Sequence, residues 1–353
     1  MAFISSIALA PPPFTYTQAE VYQVLVQYYP ENFRKKFDIQ EIFKNSQVQN
    51  RSFIVSLPEL AKLGSFEERN KLYLERGAEL SQHAIQDCLQ QSKTKASEID
   101  TILMVSSTGF VVPSLETHLI HSVGFSPQVQ RIPIVGWGCT GGVAGLNTAL
   151  SLAKGNPKSK IMLINLELCS LAFQEKDLSP KSVIANAIFN DGACAALIVG
   201  KDVLEKPNDS IEILGSHRHL FPKTFHFMGW EQLPSGLQVI LSPEIPELIR
   251  KESLSFFTSW LESKKLSWED IKLWLFHPGG AKILQALTES LNLSEEESEL
   301  SWKNLRENGN ISSCSIMYGL QKILKNNSLQ GLGLASAFGP GFTAEALLFK
   351  KTF

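Results

Sequence analysis

Charge imbalance is missing from this 353-residue chain: 33 Lys and Arg stand against 35 Asp and Glu, a net of −2, with a pI of about 6.4. A surface so near neutrality offers no basic field to nucleic acid or to an anionic membrane. Cysteine is scarce and unpatterned. Its five copies (Cys88, Cys139, Cys169, Cys194, Cys314) are scattered, odd in number and without CxxC spacing, which argues against a disulfide framework or a metal site and for reduced thiols in the cytoplasm. No apolar run reaches the about 18 residues that a transmembrane helix needs. The apolar N-terminus, Met1 to Ala10, has no basic region ahead of it and runs straight into Pro11-Pro12-Pro13, so it does not read as a signal peptide. What is present is 44% hydrophobic content, enough to bury a large core in a chain whose length suggests about two domains.

Strand-like apolar runs alternate with amphipathic helical stretches such as Arg69 to Gln90 and Pro246 to Lys264, the pattern of an α/β layered fold. A polar, Pro-containing linker, Lys201 to Asp209, divides an N-terminal half, 1–205, from a C-terminal half, 206–353. The halves echo one another. Ser97 to Ser107 resembles Ser267 to His277 about 170 residues on, Gly138-Cys139 aligns with Gly309-Asn310 at a similar offset, and Phe189-Asn190-Asp191-Gly192-Ala193 parallels Phe338-Gly339-Pro340-Gly341-Phe342, each before an apolar strand. Three echoes in one order point to a duplication. If each half folds alike, Cys139 and Asn310 occupy equivalent helix starts, and His277, from a neighbouring strand end, converges with them between the halves.

Cys139 lies where an apolar run, Ile132 to Gly138, meets a small-residue helix start, Thr140 to Gly145. A helix N-terminus aims free N–H groups and a positive dipole end at such a residue and favours thiolate. An inert buried cysteine would fit the same place. His277, in Leu273-Trp274-Leu275-Phe276-His277-Pro278-Gly279-Gly280, is likewise delivered by a hydrophobic run into a turn, and Asn310 opens a helical stretch where it could simply be a cap. Together, Cys, His and Asn in chain order can form a nucleophile, a base and a polar orienter.

The ordered set Gly138-Cys139-Thr140-Gly141-Gly142, Phe189-Asn190-Asp191-Gly192-Ala193, His277-Pro278-Gly279-Gly280, Gly309-Asn310-Ile311-Ser312-Ser313 and Phe338-Gly339-Pro340-Gly341 resembles the type III polyketide synthases, the chalcone synthase family, over nearly the whole chain. The resemblance implies a thiolase-like, duplicated αβαβα layered fold and a homodimer. It implies that Cys139 carries an acyl group taken from an acyl-CoA or an acyl carrier protein, while His277 and Asn310 stabilise the enolate that malonyl-CoA forms on losing carbon dioxide. Neither metal nor organic cofactor is implied.

The substrate-binding residues implied by the resemblance are Phe189, Gly279, Gly280, Phe338, Gly339 and Pro340, together with four cavity positions. Ile211 and Val239 align with two phenylalanines that flank the passage between coenzyme A tunnel and cavity, Val112 with a residue that reaches into the partner's cavity, and Cys169 with a cavity-lining residue of bacterial members. Smaller side chains at Ile211 and Val239 would suit long aliphatic starters and alkylpyrone or alkylresorcinol products. The plant pattern of basic residues for coenzyme A phosphates is not reproduced between Asp38 and Arg51, which leaves Lys35, Lys36, Lys44 and Arg51 to supply such contacts. Two other readings compete. A 3-oxoacyl-ACP synthase III-like enzyme shares Cys, His and Asn but usually continues His-Gln-Ala-Asn, and a non-catalytic acyl-binding thiolase-fold protein would not need all three reactive positions filled.

Overall fold

The computed structural model describes residues 1–204 and 210–352. Its strands are β1 (Ala2–Ala10), β2 (Phe14–Thr17), β3 (Asn50–Phe53), β4 (Thr101–Ser106), β5 (Gln130–Val135), β6 (Lys160–Leu168), β7 (Asp191–Gly200), β8 (Ile211–Leu220), β9 (Met228–Leu233), β10 (Gly236–Leu241), β11 (Ile271–Phe276), β12 (Gly331–Gly339) and β13 (Thr343–Lys351). Nine of them form one sheet in the order β11-β12-β13-β8-β1-β7-β6-β4-β5. The duplication is written in this order. In the first half β4 runs parallel to β6, and β6-β7-β1 continue antiparallel; in the second, β11 runs parallel to β12, and β12-β13-β8 continue antiparallel. The halves join where β1 meets β8, from Ala2 opposite Ile213 to Ile4 opposite Ile211. The expected division at 205/206 falls outside the described residues.

Side-chain alternation along the strands separates three cores. Leu103 and Val105, Ile161 and Leu163, and Leu273 and Leu275 all point to a central core, which also holds the buried faces of two helices, Gly141–Gly155 and Cys314–Lys325. Their neighbours in sequence point outward. Ile102, Met104 and Ile164 pack under the helix Phe66–Ser92, while Trp274, Phe276 and Leu348 pack under the helix Ile245–Ser263. Strands buried on both faces have to read as continuous apolar runs, as β6 and β7 do. Five layers result, helix, first half of the sheet, helix pair, second half of the sheet and helix, the thiolase-like arrangement.

The long outer helices lie close to where their periodicity places them. Phe66–Ser92 starts earlier than expected because Ser65 and Glu68 form a capping box, the Ser65 hydroxyl accepting from the Glu68 N–H and the Glu68 side chain accepting from the Ser65 N–H. The apolar N-terminus is the inner strand β1, paired on both edges. Among the described residues no helix is long and apolar enough to cross a membrane.

Candidate active site

The two central helices start side by side, and two of the three candidate residues lie at their starts. Cys139 occupies a tight turn, Gly138–Thr140, between β5 and the helix Gly141–Gly155. That turn sits against the second half only because position 138 is glycine: its φ is +47°, and a Cβ there would lie 2.7 Å from Pro340 Cγ. The Gly138 N–H donates to Ser107 Oγ at 2.8 Å. Asn310 follows the helix Glu295–Asn308 and is held at both backbone atoms, its N–H donating to the Ile188 carbonyl and its carbonyl accepting from the Asn190 N–H, each at 2.8 Å. His277 leaves the end of β11 and is fixed by its N–H, which donates to the Ser336 carbonyl at 2.8 Å.

These three side chains line one cavity, with Phe189, Phe338 and Pro340 beside them. Cys139 Sγ stands 4.0 Å from Asn310 Oδ1, which also accepts from the Ser312 N–H at 2.8 Å. Asn310 Nδ2 makes a long bond, 3.4 Å, to the Gly279 carbonyl, which leaves its second hydrogen for a ligand. Both ring nitrogens of His277 are buried without a partner. A buried imidazole with nothing to bond is costly unless a ligand supplies the partner.

Electrostatics modify the expectation drawn from the helix dipole. Burial, followed by the charge of Glu167, pushes the Cys139 thiol up to about 12, against the hydrogen bonds of Ser312 and Asn310. Burial pushes His277 down to about 3. The unliganded pair is therefore thiol and neutral imidazole, and a proton has to leave sulfur as the thiol attacks. Glu167 was not anticipated, although a lone carboxylate in the apolar strand β6 is a legible signal. It accepts from Ser313 Oγ at 2.7 Å, the Ser107 N–H at 3.2 Å and Ser312 Oγ at 3.3 Å, and burial raises it to about 7.

A second cavity lies behind the first and contains Cys169. Phe189, Trp230 and Val239 line both, so these side chains form the wall between two chambers. Val239 lines this wall, whereas Ile211, expected beside it, is fully buried in β8 between Ile4 and Lys351, within the central core and lining neither chamber. The aromatic partners of Val239 in the wall are Phe189 and Trp230, their rings 5.6 Å apart. Trp230 escaped notice because β9 and β10 are short, though Pro234-Ser235-Gly236 between two apolar stretches marks their turn.

Gly279 lines the first chamber, Gly280 caps the helix Ala281–Ser290, and Gly339 lies against Thr140, leaving no room for a side chain. Val112 is turned away from its own chambers, fully exposed in a surface loop. Arg51 is only 2% exposed. It donates to Asn190 Oδ1, Gln18 Oε1 and the Phe189 carbonyl at 2.8, 2.8 and 2.6 Å, so it braces the wall from inside and cannot reach a coenzyme A phosphate. Lys35, Lys36 and Lys44 are exposed.

A half-buried thiol, an unpartnered imidazole and an amide at paired helix starts of a duplicated thiolase-like fold define a condensing enzyme. The comparisons name the family. Residues 8–203 match chalcone and stilbene synthases, N-terminal domain, and residues 212–352 match the C-terminal domain. The chain is 30% identical to 1,3,6,8-tetrahydroxynaphthalene synthase of Streptomyces peucetius subsp. caesius, over 98% of this chain and 92% of that one. Among solved structures it resembles PKS-I from the brown alga Ectocarpus siliculosus, with TM-score 0.93 and 27% identity over 99% of this chain and 98% of that one. It also resembles 1,3,6,8-tetrahydroxynaphthalene synthase from Streptomyces coelicolor A3(2), a bacterial type III polyketide synthase, with TM-score 0.92 and 25% identity over 99% and 100%. The chain belongs to the chalcone and stilbene synthase family, the type III polyketide synthases, and is an acyltransferase.

Proposed function

We propose that the chain builds alkylpyrones or alkylresorcinols from a slender aliphatic acyl thioester and malonyl-CoA. In the loading step the Cys139 sulfur attacks the thioester carbonyl, its proton passes by way of His277 to the departing thiolate, and the acyl group stays on Cys139. In the extension step the bond to the malonyl carboxylate breaks, carbon dioxide leaves, and the electron pair becomes an enolate. The His277 and Asn310 N–H groups donate to its oxygen, an effect worth about 2.7–4 kcal/mol per donor. The enolate carbon then bonds to the acyl carbonyl, the carbon–sulfur bond breaks, and the Cys139 thiolate returns and is reprotonated.

The observation that carries the choice of starter is the wall shared by the two chambers. Phe189 and Trp230 leave Val239 as the one aliphatic side of the passage, and beyond it Leu25, Phe53, Leu60 and Phe173 give the second chamber an apolar side, with Arg51, Asp177, Asn186 and Gln238 also among its lining. A chain one methylene wide fits beside Val239 better than a ring does, and each methylene buried behind the wall adds about 0.8 kcal/mol. The test is kcat/KM across acetyl-, hexanoyl-, lauroyl-, palmitoyl- and coumaroyl-CoA, with Val239→Phe alongside. Long-chain activity should fall in that variant; a coumaroyl optimum, or long-chain activity that survives the substitution, overturns the reading.

The same reading includes a homodimer. Phe110, Val112, Val135 and Trp137 are exposed around the cysteine turn, and β5 ends the sheet with one edge unpaired. An apolar patch beside an open strand edge suits a second copy, whose chamber Val112 would enter. Light scattering should give twice 39.2 kDa, and a fully active monomer would contradict it.

A further inference from the structure

The wall between the chambers is carried on a hairpin that belongs to neither half of the main sheet. β9 and β10 pair only with each other, and they bring Trp230 and Val239. The root of the hairpin is tied to the second half, where the Gly341 N–H donates to the Met228 carbonyl at 3.0 Å. Its tip is tied to the first half by polar groups. Gln174 Nε2 donates to the Leu237 carbonyl at 2.9 Å and Gln174 Oε1 accepts from Ser235 Oγ at 2.6 Å. Gln238 Nε2 donates to Asp177 Oδ2 at 3.0 Å. Arg69 Nε donates to the Ser235 carbonyl at 2.9 Å, and the Phe66 N–H donates to the Pro234 carbonyl at 3.0 Å. Arg69 gets this close because position 236 is glycine: a Cβ there would lie 2.9 Å from Arg69 Cδ.

A two-stranded hairpin is marginal by itself, so the bonds at its tip decide where Trp230 and Val239 stand. Gln174 is the residue that bridges both sides of the turn, one amide bonding Leu237 and Ser235 together. It lies in the segment that follows the Cys169 turn, so the hairpin is latched to the same stretch of chain that lines the second chamber.

We propose that Gln174 is a positioning residue for starter selection: by latching the hairpin tip it fixes the width of the passage between Phe189, Trp230 and Val239. This rests on the reading that the starter chain crosses that passage. Release of the latch lets the hairpin lift about its root, and the passage then admits broader starters.

The experiment measures kcat/KM for lauroyl- and coumaroyl-CoA in the full-length enzyme carrying Gln174→Ala, Ser235→Ala or Ser235→Thr, with Val239→Phe in the same series. Gln174→Ala should lower the lauroyl-to-coumaroyl ratio by about three- to tenfold, the worth of one or two hydrogen bonds. Ser235→Ala should move it the same way by less, and Ser235→Thr, which keeps the hydroxyl, should hardly move it. Malonyl-CoA decarboxylation, which depends on His277 and Asn310 rather than on the hairpin tip, should change far less than the ratio in Gln174→Ala, whereas a general loss of fold would abolish it. If Gln174→Ala does not fold, the two Ser235 variants decide. A ratio that moves in Val239→Phe but in none of the latch variants overturns the latch alone. A ratio that moves in none of them overturns the passage reading as well.

Discussion

Phe189 and Asn310 face each other as a single parallel bridge between the two halves. One lines both chambers and the other places its side-chain amide beside the Cys139 thiol, so the same pair of backbone bonds sets both positions. Arg51 tightens the arrangement from below through the Phe189 carbonyl and Asn190. A residue on one side of this bridge cannot shift without moving the other.

The roles of thiol and amide separate in a decarboxylation assay. Cys139→Gln removes the acyl carrier but leaves both donors, so it should still release carbon dioxide from malonyl-CoA while making no polyketide. Asn310→Ala keeps the thiol and loses a donor; decarboxylation should drop by about a hundredfold or more. An unmutated decarboxylation rate in Asn310→Ala would reduce Asn310 to a structural cap.

The raised Cys139 thiol makes a prediction about pH. With Cys139 pushed up to about 12, the thiolate fraction grows about tenfold for each pH unit across the neutral range, because the thiolate is the reactive form. Iodoacetamide labelling of Cys139 in the unliganded enzyme should climb in that proportion without levelling off, as followed by peptide mass spectrometry. A plateau beginning below about pH 7 would reveal a preformed thiolate–imidazolium pair.

Glu167 ties stability to pH. Its carboxyl is raised from 4.5 to about 7 by burial, so between these values the folded chain holds a proton that the unfolded chain has released. Stability is then greatest at the acid end of the window and falls as pH rises, by up to about 3 kcal/mol from this residue. Asp191, raised from 3.8 to about 6, acts in the same direction over a lower range. Urea midpoints should therefore decline from about pH 5 to 7, and Glu167→Gln, which cannot ionise, should flatten the upper part of the decline. An equal slope in the variant would place the Glu167 carboxyl back in the ordinary range.

The meeting of Cys139, His277 and Asn310 in one chamber was legible because each ends an apolar run or opens a small-residue helix, and the halves repeat at a near-constant offset that the sheet order reproduces in four strands of each half, β5 having no counterpart among the described residues. The wall was legible only in part. Val239 was reached only through the resemblance, and Ile211 begins β8, whose register against both β1 and β13 turns it into the central core. Phe189 had been singled out with its motif and not as a wall residue, since its position depends on the bridge to Asn310, a contact made across 121 residues of chain. Arg51 misled for the opposite reason: a cation in a polar stretch reads as surface, and only the fold reveals the carbonyl and amide oxygens that bury it.

The central claim is that an acyl group held on Cys139 is extended more than once by malonyl units. Product mass spectrometry after incubation with malonyl-CoA and acyl-CoAs of graded chain length tests it most directly. The account predicts pyrone or resorcinol masses corresponding to two or more added two-carbon units, strongest with aliphatic starters and absent in Cys139→Ala. A single 3-oxoacyl product from every starter, or no product from any, would contradict it.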